Sequence, residues 1–373
     1  MGKPESLEET LRKYAASDAY PFHMPGHKRN AKVAGIDTSL DITEITGFDD
    51  LYHAEGILKD GQERAAQLYG AGSARYLVNG STVGNLTAIF ASTSDGDRII
   101  MDKDCHRSVY HAAKLRHLNV DYVERPVIIP GIRGSIPPEN VDKLLKSHPD
   151  TRAVIITSAG YNGVKSDVEK IAHIVHSYGA VLICDEAHGA HFGFCEDYPQ
   201  SAIKQGADAV VMSLHKTLPA FGQTALLLLN NAKLEENVSR YLDYFQTSSP
   251  SYMLMAGIDG CVRFMEDKGT GALKKLSGFV DEFIEMTRDL RNIRIFTRDE
   301  AIKAGAYDFD KSRIIILTPG GDGSKIFARL SEQYHIELEA EDDLYLTAIS
   351  TLCDTAEGFE RLAFALKDID KNY

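Results

Sequence analysis

Seven short apolar runs, separated by stretches with helical periodicity, constrain the fold of this chain more than any other feature. They are RYLVN (75–79), RIIMD (98–102), NVDYVE (119–124), AVIIT (153–157), AVLICDE (180–186), AVVMS (209–213) and TALLLLN (224–230). Most are continuously apolar, as strands covered on both faces must be. Between them lie segments such as VEKIAHIVHSYG (168–179), with apolar residues at helical spacing and a stop at Gly179. Regular strand–helix alternation implies crossover connections, and hence a parallel sheet. The expected fold is α/β, with a large domain on a mainly parallel seven-stranded sheet.

The texture changes near residue 255. A helix-rich stretch (253–292) leads to strands at IRIFT (293–297), SRIIILT (312–318), HIELEA (335–340) and DLYLTAIS (343–350), closed by the helix AEGFERLAFALKDID. This reads as a small α+β C-terminal domain. Residues 1–20 have the pattern of one amphipathic helix. The segment after it, with Pro21, Pro25 and several glycines, reads as an irregular arm. The expected units are therefore 1–50 (helix and arm), 51–255 (large domain) and 256–373 (small domain). A chain of 373 residues has core enough for them.

A net charge of −13 argues against a nucleic-acid or anionic-membrane surface. Cys105, Cys184, Cys195, Cys261 and Cys353 are scattered, without CxxC spacing, as expected of reduced thiols. The polar N-terminus does not read as a signal peptide, and the apolar runs are too short to span a bilayer. The expected location is cytoplasmic.

Three segments carry chemistry. In VNGSTVGN (78–85) a strand ends and a helix begins through glycine and hydroxyl residues, which makes an anion site of free amides and a helix dipole. An ordinary N-cap by Ser81 or Thr82 is the plainer alternative. In LICDEAHGAH (182–191) an acid, Asp185, stands at the carboxyl end of a buried strand, where open α/β sheets bind ligands. A carboxylate there can keep a pyridine nitrogen protonated. His188 and His191 have a spacing that could ligate a metal, but no third ligand is suggested, so no metal is expected. In VVMSLHKTLPAFGQTALLLL (210–229), Ser213, His215 and Lys216 sit in a polar loop between two buried strands. Desolvation there would supply the neutral amine that imine formation requires; taken alone, Lys216 reads more plainly as a solvated loop residue, and it is the combination with Asp185 and the 78–85 turn that singles it out.

Together these segments resemble the major domain of the Orn/Lys/Arg decarboxylases, pyridoxal-5'-phosphate (PLP) enzymes of fold type I (aspartate aminotransferase-like), and especially their shorter Gram-positive branch. The resemblance runs through PFHMPGHK (21–28), DITEITGFDDLYHAEGILKDGQERAAQLYGA (41–71), YLVNGSTVGN (76–85), MDKDCHRSVYHA (101–112), DEAHGAHFGF (185–194), SLHKTLPAFGQTA (213–225) and TSSPSYMLMAGID (247–259). It implies that Lys216 holds PLP as a Schiff base and that Asp185 pairs with the pyridine nitrogen. His106 would stack on the ring, and His188 would lie near its phenolic oxygen or the substrate. Gly80, Ser81 and Thr82, joined by Ser213 and His215, would bind the phosphate. Thr247 and Ser248 would complete a neighbouring subunit's phosphate site in a homodimer with shared active sites. His23, His27 and Lys28 of the arm could reach a substrate.

The implied reaction is decarboxylation of lysine, arginine or ornithine to an amine and CO2. Two features depart from the family's pattern. Its usual chains continue beyond the small domain with a Pro-Pro-Gly type segment, before which this sequence ends at Tyr373. TSAGYNG (157–163) also stands where Ser-Pro-Thr-Tyr-like wording is usual, with Gly160 replacing a hydroxyl residue. Rival functions are another fold type I reaction (aminotransferase, aldolase or acyl transfer) or a catalytically impaired PLP-fold protein. An aminotransferase would need a small-domain arginine for the substrate carboxylate, and Arg313 is the strand candidate. The acidic HIELEAEDD (335–343) reads as a solvated turn, the alternative being attraction of a diamine end.

Overall fold

The computed structural model describes residues 5–371. The seven apolar runs form one sheet: β1 (Ser73–Leu77), β2 (Arg98–Asp102), β3 (Asn119–Val123), β4 (Thr151–Thr157), β5 (Val181–Asp185), β6 (Ala209–Ser213) and β7 (Ala225–Leu229), in the order β1-β7-β6-β5-β4-β2-β3. The pairs from β6 through β3 are parallel; β7 alone is antiparallel to both its neighbours. Every residue of β6 and β7 is buried, which is why both runs read as continuously apolar.

Helices cover both faces. The helix α2 (Gly80–Ser92) follows β1, and it lies so close to the sheet that a Cβ on Gly84 would stand 2.7 Å from Val211 and 2.8 Å from Leu77. Glycine at that position lets the helix approach. The helix α4 (Val168–Ser177) starts at an Asp167 cap and buries Val168, Ile171, Ala172 and Val175, the i, i+3, i+4, i+7 stripe of a helix packed on a core. Between them in sequence, α3 (Arg107–Leu115) follows β2, with His106 at its N-cap.

The last quarter builds a four-stranded antiparallel sheet in the order β8-β9-β11-β10 from β8 (Arg294–Phe296), β9 (Arg313–Leu317), β10 (Ala340–Glu341) and β11 (Tyr345–Ile349). The segment 335–339 is irregular, so the strand expected at HIELEA shrinks to the two residues of β10. Ile336 and Leu338 pack against the core, Glu337 and Glu339 are exposed, and the Glu339 amide bonds Thr347 O of β11. The two-residue strand Val164–Lys165 pairs with Asp308–Phe309 and ties the small sheet's polypeptide to the large domain.

At the N-terminus, α1 (Leu7–Ala16) is shorter than the helix expected over 1–20. A Ser6/Glu9 capping box starts it, the C-cap Ser17 is extended and bends and turns follow it, and 1–4 lie outside the described residues. Among the described residues no helix is long and apolar enough to cross a membrane.

Candidate active site

The parallel strands deliver their last residues to one edge of the sheet, as open α/β folds do. Asp185 ends β5, and Ser213 ends β6. Lys216 follows on α5 (Leu214–Thr217), a single helical turn where a loop had been expected. Gly80, Ser81, Thr82, His106, Asp185, His188, Ser213, His215 and Lys216 all line one cavity of about 400 Å³, with Asn85, Thr157, Tyr161 and Gln223 among the other lining residues. Thr247 and Ser248 do not line it. The Thr247 amide donates to Asn79 Oδ1 at 3.0 Å, and Ser248 is exposed.

One end of the cavity suits an anion. Ser81 Oγ and Ser213 Oγ lie 2.7 Å apart across it. The α2 helix begins at Gly80, whose φ of +73° favours glycine, and its first turn has no side-chain cap. Ser81 and Thr82 are thus inside the helix rather than capping it, and their amides need an external acceptor.

At the centre, Asp185 is 2% exposed. Asn85 Nδ2 donates to Asp185 Oδ2 at 2.8 Å and to Ser108 Oγ at 2.9 Å. The Ser108 backbone amide donates to His106 Nδ1 at 3.3 Å, and the Ser108 hydroxyl lies 2.8 Å from the same atom; Nδ1 is therefore the acceptor, which leaves the proton of a neutral His106 on Nε2. Burial lowers the His106 pKa against the opposing charge of Asp185.

His188 lies between Lys216 and Arg313. Its Nε2 is 3.3 Å from Lys216 Nζ and its Nδ1 is 2.8 Å from Arg313 Nη2. Burial drives the imidazole pKa well down, and Arg313 and Lys216 add to the effect. Burial also lowers the Lys216 amine; Asp185 opposes this and Arg313 reinforces it. Tyr161 stands edge-on to His188, with centroids 5.4 Å apart, and its hydroxyl donates to Glu339 Oε1 at 3.0 Å. Burial and then that carboxylate push the Tyr161 phenol up to about 12. The acidic residues of 335–343 are exposed, as expected of a solvated turn, and one of them, Glu339, also bonds a residue that lines the cavity. His191, three residues from His188, turns instead to Asp310 at 3.3 Å. Within this chain the arm's His23 and His27 bond Tyr14 and Asp41, away from the cavity.

Sequence reasoning missed Asn85, Ser108, Tyr161 and Glu339 as site residues. Asn85 was findable, since it stands one helical turn after Ser81 on the same face. Tyr161 and Glu339 lie in TSAGYNG and HIELEAEDD, both noted in the sequence, but their contact joins segments 178 residues apart and has no local signal.

Residues 5–321 match the family described as Orn/Lys/Arg decarboxylase, major domain. The chain belongs to that family. A Bacillus subtilis relative, uncharacterized protein YaaO, is 39% identical over 267 residues, covering 68% of this chain and 55% of YaaO. An arginine decarboxylase of Halalkalibacterium halodurans is 29% identical over 376 residues, 95% of this chain and 75% of that one. The lysine decarboxylase LdcF of Francisella novicida superposes with a TM-score of 0.86 at 20% identity, over 98% of this chain and 60% of LdcF. That likeness shows the fold, PLP fold type I. The chain thus spans little more than half the length of YaaO and LdcF.

PLP is the cofactor of this family, and the donor set fits it. The uncapped α2 turn with Ser81 and Ser213 matches a phosphate. Asp185, braced by Asn85 and the Ala187 amide at 3.1 Å, matches a pyridinium N–H. Lys216 presents an amine of lowered basicity, as covalent attachment would require.

Proposed function

We propose that this chain is a PLP-dependent decarboxylase of a basic amino acid (lysine, arginine or ornithine), releasing an amine and CO2. The observation that carries the reading is the convergence of Lys216, Asp185, His106, His188 and the Ser81/Ser213 pair on one cavity. When bound, PLP supplies an electron sink for the pair left as CO2 departs. Asp185 would hold the ring nitrogen's proton, and Asn85 keeps that carboxylate aimed. Ser81, Thr82 and Ser213 would anchor the phosphate. His106, with its proton on Nε2, presents a donor to the cavity. Glu339 offers a carboxylate at the small-domain side, where the substrate's distal ammonium or guanidinium would lie. Arg313, the arginine an aminotransferase would want for a substrate carboxylate, is engaged with His188 through Nη2.

A homodimer with shared sites accords with Phe22, Met24 and Phe221, exposed at 89%, 63% and 56%. In that assembly Thr247, Ser248 and the arm would serve the partner's cavity.

The test is to supply the purified protein and PLP with lysine, arginine and ornithine in turn. CO2 and the matching amine are the expected products. Keto acid without CO2, or no turnover with any of them, overturns the reading. Lys216→Ala should lose the visible imine band that forms without added amine; a retained band would remove Lys216 from its role.

A further inference from the structure

The chain Arg313–His188–Lys216 fixes where its protons must be. A guanidinium has N–H donors and no acceptor, so His188 Nδ1, 2.8 Å from Arg313 Nη2, must accept with a lone pair. A neutral imidazole then carries its proton on Nε2. That atom lies 3.3 Å from Lys216 Nζ. An N–H aimed at an amine nitrogen needs a lone pair there, which an ammonium lacks. The donor direction therefore runs Arg313 to His188 to Lys216.

We propose that Arg313 is a positioning residue that locks His188 in its Nε2–H tautomer and, through it, holds Lys216 as an uncharged, hydrogen-bond-accepting amine. That lone pair is what Lys216 needs to attack an aldehyde carbon, with water as the leaving group. The assignment of Lys216 as the attachment lysine rests on the proposed function; the tautomer of His188 does not.

Three further observations support a built device. Arg313 is 1% exposed, and its Nε and Nη1 have no partner, so the guanidinium is held in place at a desolvation cost. Gly163, at φ +85°, makes room: a Cβ there would stand 2.8 Å from Arg313 Cβ and Cγ. Tyr161 packs edge-on against His188 and fixes the ring plane that both bonds require.

Arg313 begins β9 of the small sheet, whereas His188 and Lys216 belong to the large domain. The amine state of Lys216 thus depends on how the small sheet is seated. The charged and titratable groups around the pair pull both ways. Asp185 and Glu339 favour the ammonium, Asp310 favours the imidazolium, and Arg313 and burial oppose both; His106 adds to that opposition at His188.

Nitrogen-15 NMR of the full-length chain, labelled at histidine and without added PLP, tests the lock directly. The His188 signals are assigned by their loss in His188→Gln. The unsubstituted protein should show Nε2 protonated and Nδ1 as an acceptor; a protonated Nδ1 overturns the proposal. In Arg313→Met the two tautomers should mix. In the same variant the Lys216 pKa, read by NMR after reductive 13C-methylation, should rise, with the free-amine fraction at neutral pH falling about tenfold per unit. Arg313→Gln, which removes the charge but can keep a donor on Nδ1, should retain the tautomer.

If Arg313 acted only by its charge, both variants would raise the Lys216 pKa and leave the His188 tautomer alone, which refutes the lock. If the tautomer and the amine behave as stated but PLP forms no imine, the proposed function fails and the lock stands.

Discussion

Lys165→Met should destabilise the folded chain by about 3 kcal/mol at pH 8, near the low end of what breaking a buried ion pair costs. Lys165 and Glu186 are both 0% exposed, and Nζ lies 2.5 Å from Oε1. Removing the ammonium strands a carboxylate in the core next to Asp185. The loss stays at the low end because Glu186 keeps other donors: the Ser201 hydroxyl at 2.8 Å and the Ala202 amide at 2.9 Å. Protonation offers a second escape. Burial already pushes the Glu186 carboxyl above its ordinary value, against the pull of Lys165, and losing the cation pushes it further. A folded-state pKa above the unfolded one means the folded chain binds the extra proton. Its stability is therefore full below the ordinary carboxyl range and falls as pH rises, by up to about 1.4 kcal/mol per pH unit. The deficit of Lys165→Met should accordingly shrink toward pH 5. Urea unfolding followed by far-UV circular dichroism measures this, the chain having no tryptophan. Lys165→Met/Glu186→Gln should recover most of the loss, since a neutral amide can use the same donors. A single variant within about 1 kcal/mol of the parent at pH 8, or a double variant no better than the single, would refute the reasoning.

Two further outcomes are expected. Glu339→Gln should raise KM for basic amino acids by about two- to fivefold, the range an exposed ion pair of under about 1 kcal/mol permits, with little change in kcat; an unchanged KM would detach Glu339 from the distal group. His188 gives a pH dependence of the opposite sign to Glu186. Its folded-state pKa lies well below the ordinary value of about 6.5, so the unfolded chain binds the extra proton and stability falls as pH drops below that value, by up to about 1.4 kcal/mol per unit. Urea midpoints of the parent and His188→Asn, compared from pH 7 to pH 5, should diverge; parallel curves would mean that His188 is not held neutral.

The large sheet was legible in the sequence because strands buried on both faces must be apolar throughout. All seven runs became its strands, and Asp185 and Ser213 stand at the strand ends, where α/β architecture collects chemistry. The small sheet was less legible at HIELEA, where a strand was expected over 335–340 but only Ala340 and Glu341 pair as strand, joined by the Glu339 amide bonding Thr347 O. Lys216 could be singled out from its strand–polar–strand setting, but its helical turn could not, because four residues carry too little periodicity.

What the amino-acid order determined by itself is the scaffold and the identity of the reactive groups: buried strands, a glycine–hydroxyl helix start, an acid, two histidines and a lysine in a fixed succession. Only the tertiary structure decided their states. Arg313 and Lys216 lie far apart in the chain, yet both bond His188, and this contact assigns a tautomer and a charge. Glu339 meets Tyr161 across 178 residues of chain. Protonation depends on desolvation and on charges brought close through space, and those are properties of packing that no local pattern of residues encodes.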